Sequence, residues 1–572
     1  MKNIADRLVC KPLALLFATL PSCSRDPSTS DTPKVAQRDV SGARHQGASH
    51  ARNDSAGVGG ERIPENYIPL FERLVNLVEK HHVFAENQRV RWIVDKSRLY
   101  EEFARAGSRE DALVAVFHLQ NSLRDRHCSL VPPGDLHQDE IGLGISLFVE
   151  VTGERTLVRV DKILDSGLAE APDRAVAEGD LVIAVDGEPV EAWLLEHDLD
   201  SNSLNDATRR SEQANAIVSV MLPWSRVKRG DTRTLTLRRE GTQWDQKFTF
   251  ADSSRWGRSP SLTLDDAPSM ASVSCRSEPG QVYPGFTLSS VGLNVCVYHP
   301  VEETAHNKKG LRLVRFLSFR YELRSASDGL RAARADHALL SRELADADAV
   351  ILDLHENRGG NNPFVFLGWF ADKPWDHQQI HMRVSSEFSE QEVRRFLWDD
   401  PKLVDAYKSA VGGGLSEIDW PFLCRRDGEA VLSGTCRAQG PYPSERVTEA
   451  PVAVISGPDC TSSCDSLVAS WSAFSMGPVV GLQPAHGFTT ARHSFPIADA
   501  NGTDLGQFSI ALSWEAFPGL NVPLEGAAVR LDWEAPLTFE TRDSWVDLSI
   551  EEATRRLGLV RHPPTPRSVR SR

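Results

Sequence analysis

The chain is short of several things that would place it at once. It has no paired CxxC motif, and nine cysteines in 572 residues are too few for a disulfide scaffold, so a zinc ribbon is excluded and any bridges are local staples. It has neither HExxH nor GxSxG, which removes the zinc-protease helix and the ordinary lipase elbow. Its apolar run Leu13 to Leu20 is too short to span a bilayer. Basic charge is short: 64 Lys and Arg stand against 79 Asp and Glu, and a net charge of -15 has the wrong sign for a phosphate backbone, so nucleic acid is not expected as a partner. From Ser24 to Arg62 there is no Leu, Ile, Phe, Tyr or Trp, so that stretch cannot supply a core. Lysine ends at Lys408. What remains is 41 % hydrophobic and 25 % charged, a mostly globular chain long enough for two or three domains.

The first residues read as an address. Lys2, Arg7 and Lys11 precede the apolar run, as in a secretory signal, and export is expected. Leu20-Pro21-Ser22-Cys23 resembles a bacterial lipoprotein cleavage box with Cys23 as the lipidated residue; simple cleavage or a buried thiol is the alternative. The tether that follows has a coil dimension on the order of 35 Å. The domain reading is residues 1–23 signal, 24–62 disordered linker, 63–135 helical domain, 136–250 β-rich module, 251–289 linker, 290–557 C-terminal core and 558–572 basic tail.

Leu70, Phe71, Leu74, Val75, Leu77 and Val78 recur at helical spacing, as do Leu113, Val114, Phe117 and Leu119. The second helix runs out at Leu123-Arg124-Asp125-Arg126-His127-Cys128-Ser129 before Pro132, Pro133 and Gly134. Alone, His127 there reads as a surface or capping residue. From residue 140 the pattern becomes strand-like. Gly142-Leu143-Gly144-Ile145 and the stretch Gly179 to Gly187 (GDLVIAVDG) together resemble a PDZ domain. That resemblance implies that the Gly142, Leu143, Gly144 and Ile145 backbone cups a peptide's terminal carboxylate beside an open strand edge. The alternative is a plain glycine-rich turn.

In the second half, the buried strand Ala349 to Leu354 runs into His355-Glu356-Asn357-Arg358-Gly359-Gly360-Asn361-Asn362. Ala453 to Ser456 runs into Gly457-Pro458-Asp459-Cys460-Thr461-Ser462-Ser463-Cys464-Asp465, followed by an apolar helix from Ser466 to Phe474. Small hydroxyl residues at a helix N-terminus suit developing negative charge, and suit capping equally. The order of these segments resembles the C-terminal processing (tail-specific) serine proteases over about Ile63 to Leu557. The resemblance implies an α/β fold: a crotonase-like protease core with an N-terminal helical region and a PDZ-like module. It puts Ser463 at the nucleophile and Gly360 with the Cys464 amide at the oxyanion hole. His355 stands where the family has Arg, and Asp465 or Ser466 where it has Glu.

Many members of that family activate serine with a lysine in a Gly-Lys-Gly turn, which here reads Ala485-His486-Gly487. With no lysine after Lys408, no such dyad can form from that region. A tricorn-like branch uses histidine with a distant glutamate. Asp125-Arg126-His127-Cys128 resembles its Asp-x-His segment and Pro523 to Asp532 its Glu-Gly tail, so the resemblance implies His127 as base and Glu525 as its carboxylate. His486 and His493 are the rival bases. The expectation is an exported serine endopeptidase acting on proteins or peptides with free C-termini, without cofactor or metal, in a bacterial periplasm or on its membrane. The rival expectation is an inactive, protease-like protein that binds peptides or apolar ligands. Disulfides are expected at Cys424–Cys436, then Cys275–Cys296, with Cys460–Cys464 a further pair.

Overall fold

The computed structural model describes residues 67–559 except 85, 137–138, 153–154, 170–173, 254–274, 276–282, 302–309, 322–325, 361–362, 374, 376–378, 397–400, 416, 420–421, 427–428, 434–445, 489, 518–523, 525 and 527. Three helices open it: α1 (Ile68–His81), α2 (Glu86–Arg105) and α3 (Arg109–Ser122). The α3 start is a capped one, with Ser108 Oγ accepting the Asp111 N–H at 3.1 Å and Glu110 and Asp111 in the first turn against the positive end of the dipole. Leu70, Phe71, Leu74 and Val78 of α1, Trp92, Leu99 and Phe103 of α2, and Leu113, Val116 and Leu119 of α3 bury into one core. The helix α2 has no counterpart in the sequence reading. Its apolar stripe is blurred because Val90, Ile93 and Val94 face outward, each more than half exposed.

After α3 the chain turns tightly through Arg124, at φ 52°, and His127 into strand β1 (Ser129–Val131). A β-rich module follows: β2 (Asp139–Gly142), β3 (Ile145–Thr152), β4 (Arg155–Ile163), β5 (Leu181–Val185), β6 (Glu188–Pro189), α4 (Val190–Glu196), α5 (Asp206–Val218), β7 (Ser219–Leu222), β8 (Thr232–Arg239), β9 (Thr242–Thr249) and β10 (Ala251–Asp252). Its main sheet runs β3-β4-β5-β8-β9, with β6 on β5; β2 sits between β10 and β7 in a small second sheet. The single strand expected from Gly142 to Phe148 is split in two, since Gly144 takes φ 73° and turns the chain between sheets. The stretch from Gly179 is strand β5 between tight turns at Gly179 (φ 88°) and at Asp186 and Gly187 (φ 50° and 86°).

The remainder contains β11 (Phe286–Val291), β12 (Val295–Pro300), β13 (Leu311–Phe316), α6 (Ala326–Glu343), β14 (Ala349–Asp353), α7 (Pro363–Phe370), β15 (Gln379–Arg383), α8 (Glu390–Phe396), α9 (Pro401–Gly412), β16 (Glu417–Asp419), β17 (Phe422–Arg426), β18 (Glu429–Ser433), β19 (Val452–Ser456), α10 (Ser463–Ala473), β20 (Val479–Gly481), β21 (Thr490–Ala498), β22 (Asp504–Ala516), β23 (Trp533–Glu534) and α11 (Trp545–Arg556). The central sheet has the order β11-β12-β13-β14-β19-β20-β23 and is parallel from β13 onward. Every residue of β14 and β19 is buried, which is why both read as unbroken apolar runs: helices or loops cover both faces. A second sheet, β1-β22-β15-β16 with β21 on β22, joins the two ends of the chain, because β1 pairs with β22 through Ser129↔Ser509.

Cysteines 275 and 296 are bridged, as are 460 and 464. The bridge from Cys275 and the buried Tyr283 make part of the expected 251–289 linker a core element. Cys436 lies outside the described residues, as does Cys23. Among the described residues no helix is long and apolar enough to cross a membrane.

Candidate active site

Strands β14 and β19 end side by side, so the two loops that follow them meet. The meeting is close: a Cβ on Gly359 (φ 76°) would lie 2.5 Å from the Thr461 carbonyl oxygen and 2.9 Å from the Ser463 nitrogen, so only glycine fits. Asn357 braces this loop, donating from Nδ2 to the Phe316 carbonyl at 2.9 Å and accepting the Gly359 N–H at 2.8 Å. Ser463 is the first residue of α10, so the helix begins three residues earlier than the apolar pattern suggests. Ser462 before it takes φ 60°, rarely adopted by a serine, and the Cys460–Cys464 bridge closes the turn around both. The Ser463 hydroxyl donates to the Gly360 carbonyl at 3.0 Å.

The Cys464 amide, expected to serve an oxyanion, donates instead to the Thr461 carbonyl at 3.1 Å within the turn. An oxyanion role would require that bond to open.

Asp465, fully buried one residue further along, accepts the His486 N–H at 2.9 Å and the Gly487 N–H at 3.1 Å. Burial pushes its pKa up to about 8, against the pull of these amides. The clamp fixes the loop that carries Gly487. A Cβ at Gly487 would lie 3.4 Å from Thr461 Oγ1 and 3.5 Å from His127 Cε1, so the imidazole and the Thr461 to Ser463 turn face each other across one glycine. His127 is thus brought to Ser463's turn from more than three hundred residues away by the pairing of β1 with β22. Its Nδ1 is 4.0 Å from Asp125 Oδ1. Burial lowers its pKa, the Asp125 carboxylate opposes that, and Arg492 and Arg126 add to the lowering.

The rival bases fare differently. His486 is buried at φ 62°, with Nε2 3.2 Å from Gln483 Oε1, and burial drives its pKa down to about 4. It stands beside the site as a neutral ring. His493 is not brought to Ser463's loop by any described contact: it packs on Phe388 and Phe495, with Nε2 3.3 Å from Glu392. Glu525 lies outside the described residues. Its neighbours run beside the site, since the Leu524 N–H donates to the Glu515 carbonyl at 2.8 Å.

Sequence reasoning missed Glu515. It is buried at the end of β22 and accepts the Ser466 hydroxyl at 2.7 Å, and burial pushes its pKa up to about 7. A lone glutamate in the apolar run from Ile510 to Phe517 was the available signal. His355, in the place of an arginine, sits 2.7 Å from Asp353 Oδ1 through Nδ1 and 3.6 Å from Glu356 through Nε2. Burial disfavours the charged ring, but these two carboxylates outweigh it and lift the pKa to about 10, so His355 is a cation at neutral pH. Tyr283 and Arg315 complete the network on Asp353 and Glu356.

The expected carboxylate cup is not an open one. Gly142, Leu143, Gly144 and Ile145 are all buried, the Leu143 N–H donates to the Val218 carbonyl at 2.8 Å, and the Gly144 carbonyl accepts from Leu164 and Asp165. The physical reason is that Gly142 pairs with both Ser219 and Ala251, which draws this corner under two strands. Strands β3 and β9 are the two edges of the main sheet, and α5 lies alongside β3.

Among the described residues, His82, Asp125 and Cys128 offer one nitrogen, oxygen and sulfur within 4.8 Å of one another. Within the chain Asp125 Oδ2 lies 3.1 Å from His82 Nε2, and Oδ1 accepts the His127 N–H at 2.8 Å.

No family model matches the chain, and no curated protein does. Solved structures do. Mature CPAF complexed with lactacystin superposes with a TM-score of 0.60 at 14 % identity, covering 86 % of this chain and 98 % of that one. Mature CPAF by itself gives 0.58 at 13 % identity over 87 % and 98 %. A looser similarity, with a TM-score of 0.35 at 14 % identity over 86 % and 99 %, is to a photosystem II D1 C-terminal processing protease, too distant to argue from. The chain therefore shares the CPAF fold over nearly its whole described length.

Proposed function

We propose that this chain, which has the fold of CPAF, is a serine peptidase in which Ser463 attacks the peptide carbonyl and His127 takes the hydroxyl proton. The observation that carries the proposal is the approach of His127 and the Thr461 to Ser463 turn across Gly487. A serine hydroxyl is a poor nucleophile at neutral pH, and a neutral imidazole is the side chain suited to accept its proton and return it to the leaving amine. The depressed pKa of His127 keeps the ring neutral and available at pH 7. Attack requires the Ser463 hydroxyl to leave the Gly360 carbonyl and turn to the imidazole. The backbone at Gly360 and Cys464 then receives the oxyanion once the Thr461 bond opens. Glu525 is assigned a supporting role behind this set.

The substrates proposed are extended protein or peptide chains adding to the β3 edge of a PDZ-like module, with cleavage near free C-termini. The proposal extends to export, with Cys23 as a lipid anchor in the bacterial envelope. A second reading, a peptide-binding protein without turnover, is favoured by one observation: the Ser463 hydroxyl is satisfied by the Gly360 carbonyl of the facing loop and the Cys464 amide by the Thr461 carbonyl.

The test is cleavage of peptide libraries with free or amidated C-termini by wild type, Ser463→Ala and His127→Ala, beside labelling with a serine-directed fluorophosphonate. Ser463→Ala should abolish labelling and turnover, and His127→Ala should cost about a thousandfold. Equal cutting of free and amidated peptides removes the C-terminal preference. A wild type that neither cleaves nor labels leaves the binding protein.

A further inference from the structure

Resting on His127 as the base, we propose that Asp125 is a second carboxylate supporting it, in addition to the role assigned to Glu525, and that His82, at the end of α1, is the positioning residue that holds Asp125 in place. Asp125 is completely buried. Its Oδ1 accepts the His127 backbone N–H at 2.8 Å and lies 4.0 Å from the same residue's Nδ1, so one oxygen both pins the loop and faces the ring. Its Oδ2 lies 3.1 Å from His82 Nε2, which is likewise fully buried. The Asp125 carbonyl accepts the Cys128 N–H at 3.1 Å, which closes the turn from Asp125 to Cys128 around His127.

The chemistry follows from that placement. An imidazole that takes a proton from a serine becomes a cation, and a buried carboxylate within about 4 Å favours that cation strongly because little water screens the pair. A carboxylate can do this only while its oxygens stay oriented. A buried acceptor left without its donor would rotate or draw in water, and the His82 N–H prevents both. Asp125 is held from α1, two helices earlier in the sequence, and so does not share the flexibility of the loop that it serves. Its partner His82 is anchored in turn, since its own N–H donates to the Val78 carbonyl at 2.8 Å as the last bond of α1. The other charged groups facing His127 are Arg126 on the same loop and Arg492 on β21, both of which disfavour the imidazolium. Asp125 opposes them and favours it.

The experiment is a pH titration of histidine ring resonances in full-length protein with isotope-labelled histidine, the His127 signal being assigned by its loss in His127→Ala. It needs no turnover, so it reads independently of whether the chain cleaves peptides. Asp125→Asn should move the His127 midpoint to lower pH by at least half a unit. His82→Leu should move it in the same direction, and His82→Gln, which keeps a side-chain N–H, should recover most of the shift. Where turnover is measurable, the acid limb of kcat/KM should move with the NMR midpoint. An unchanged midpoint in folded Asp125→Asn overturns the supporting role. If Asp125→Asn does not fold, the His82 pair decides: equal midpoints in His82→Leu and wild type overturn the positioning role. A peptidase that is active but whose midpoint ignores both residues refutes this inference alone, whereas a shifted midpoint in an inert protein refutes only the assigned activity.

Discussion

Gly487 offers a direct way to test whether the facing of His127 and the nucleophile turn matters. A methyl there would meet Thr461 Oγ1 at 3.4 Å, His127 Cε1 at 3.5 Å and Arg126 Cβ at 3.7 Å, all near ordinary contact. Gly487→Ala should therefore be accepted, with turnover within a few-fold of wild type and stability unchanged or raised by about 0.4 to 1 kcal/mol through the unfolded chain's lost freedom. Gly487→Val carries two methyls about 1.5 Å further out. With the first carbon already in contact on both sides, the added methyls should push the ring or the turn aside by on the order of 1 Å. The packing cost is about 1 to 3 kcal/mol, small for a chain of this size, whereas an ångström of misplacement between base and nucleophile costs about a hundredfold in rate. The assay pairs fluorophosphonate labelling rate and kcat/KM on the best library peptide with thermal melting. A folded Gly487→Val protein with wild-type kcat/KM and labelling rate would refute the view that His127 acts on Ser463 across this glycine.

Two further expectations concern pH. Asp465, lifted to about 8 from an ordinary carboxyl value near 4, keeps its proton in the folded state where the unfolded chain has lost it, so stability should fall by on the order of a few kcal/mol as pH rises from 4 through 8. Chemical denaturation across that range should show the slope, with Glu515 adding to it in the same sense up to about 7, and Asp465→Asn should flatten it. His355, raised to about 10, has the opposite requirement: it must be charged. Its contribution is complete below about 6.5 and disappears as pH rises through 10, so His355→Arg should extend stability into alkali and His355→Ala should lower it at neutral pH, read from melting temperatures.

What could be read from the sequence was what local chemistry controls. The apolar runs of β14 and β19 and the glycine-bounded β5 are visible because each is a buried strand stopped by residues that tolerate unusual backbone angles. The helix α2 was not, because its buried Trp92, Leu99 and Phe103 are interleaved with exposed valines and arginines. Motif order singled out Ser463 and His127 as candidates, but not that their turns meet across Gly487, nor that His82 reaches Asp125: nothing in the spacing of residues 82 and 125 says that two helix ends converge. The open carboxylate cup failed for a related reason. Gly142 looks like a free loop residue until two distant strands, β7 and β10, pair on either side of it. His486, a rival base in the sequence, shows its burial and its pKa, lowered to about 4, only in the structure.

The long strand β22 has a consequence for how this protein can be cut or rearranged. One end of it pairs with β1, immediately after His127, and the other carries Glu515, hydrogen-bonded to Ser466 on the nucleophile's helix. Between them Phe508 and Ile510 are buried among α1, α2 and α3, an attachment worth about 3 to 6 kcal/mol if those two side chains alone are counted. The helical region is thus a graft on the C-terminal half and not a separable module. Proteolytic removal or circular permutation that detaches residues before Val131 would take away His127, the proposed base, and, in the same stroke, bare an apolar strand edge ready to recruit another chain. Truncation products of this protein should therefore be insoluble as well as inactive, and the intact N-terminal half is a condition for expressing the rest.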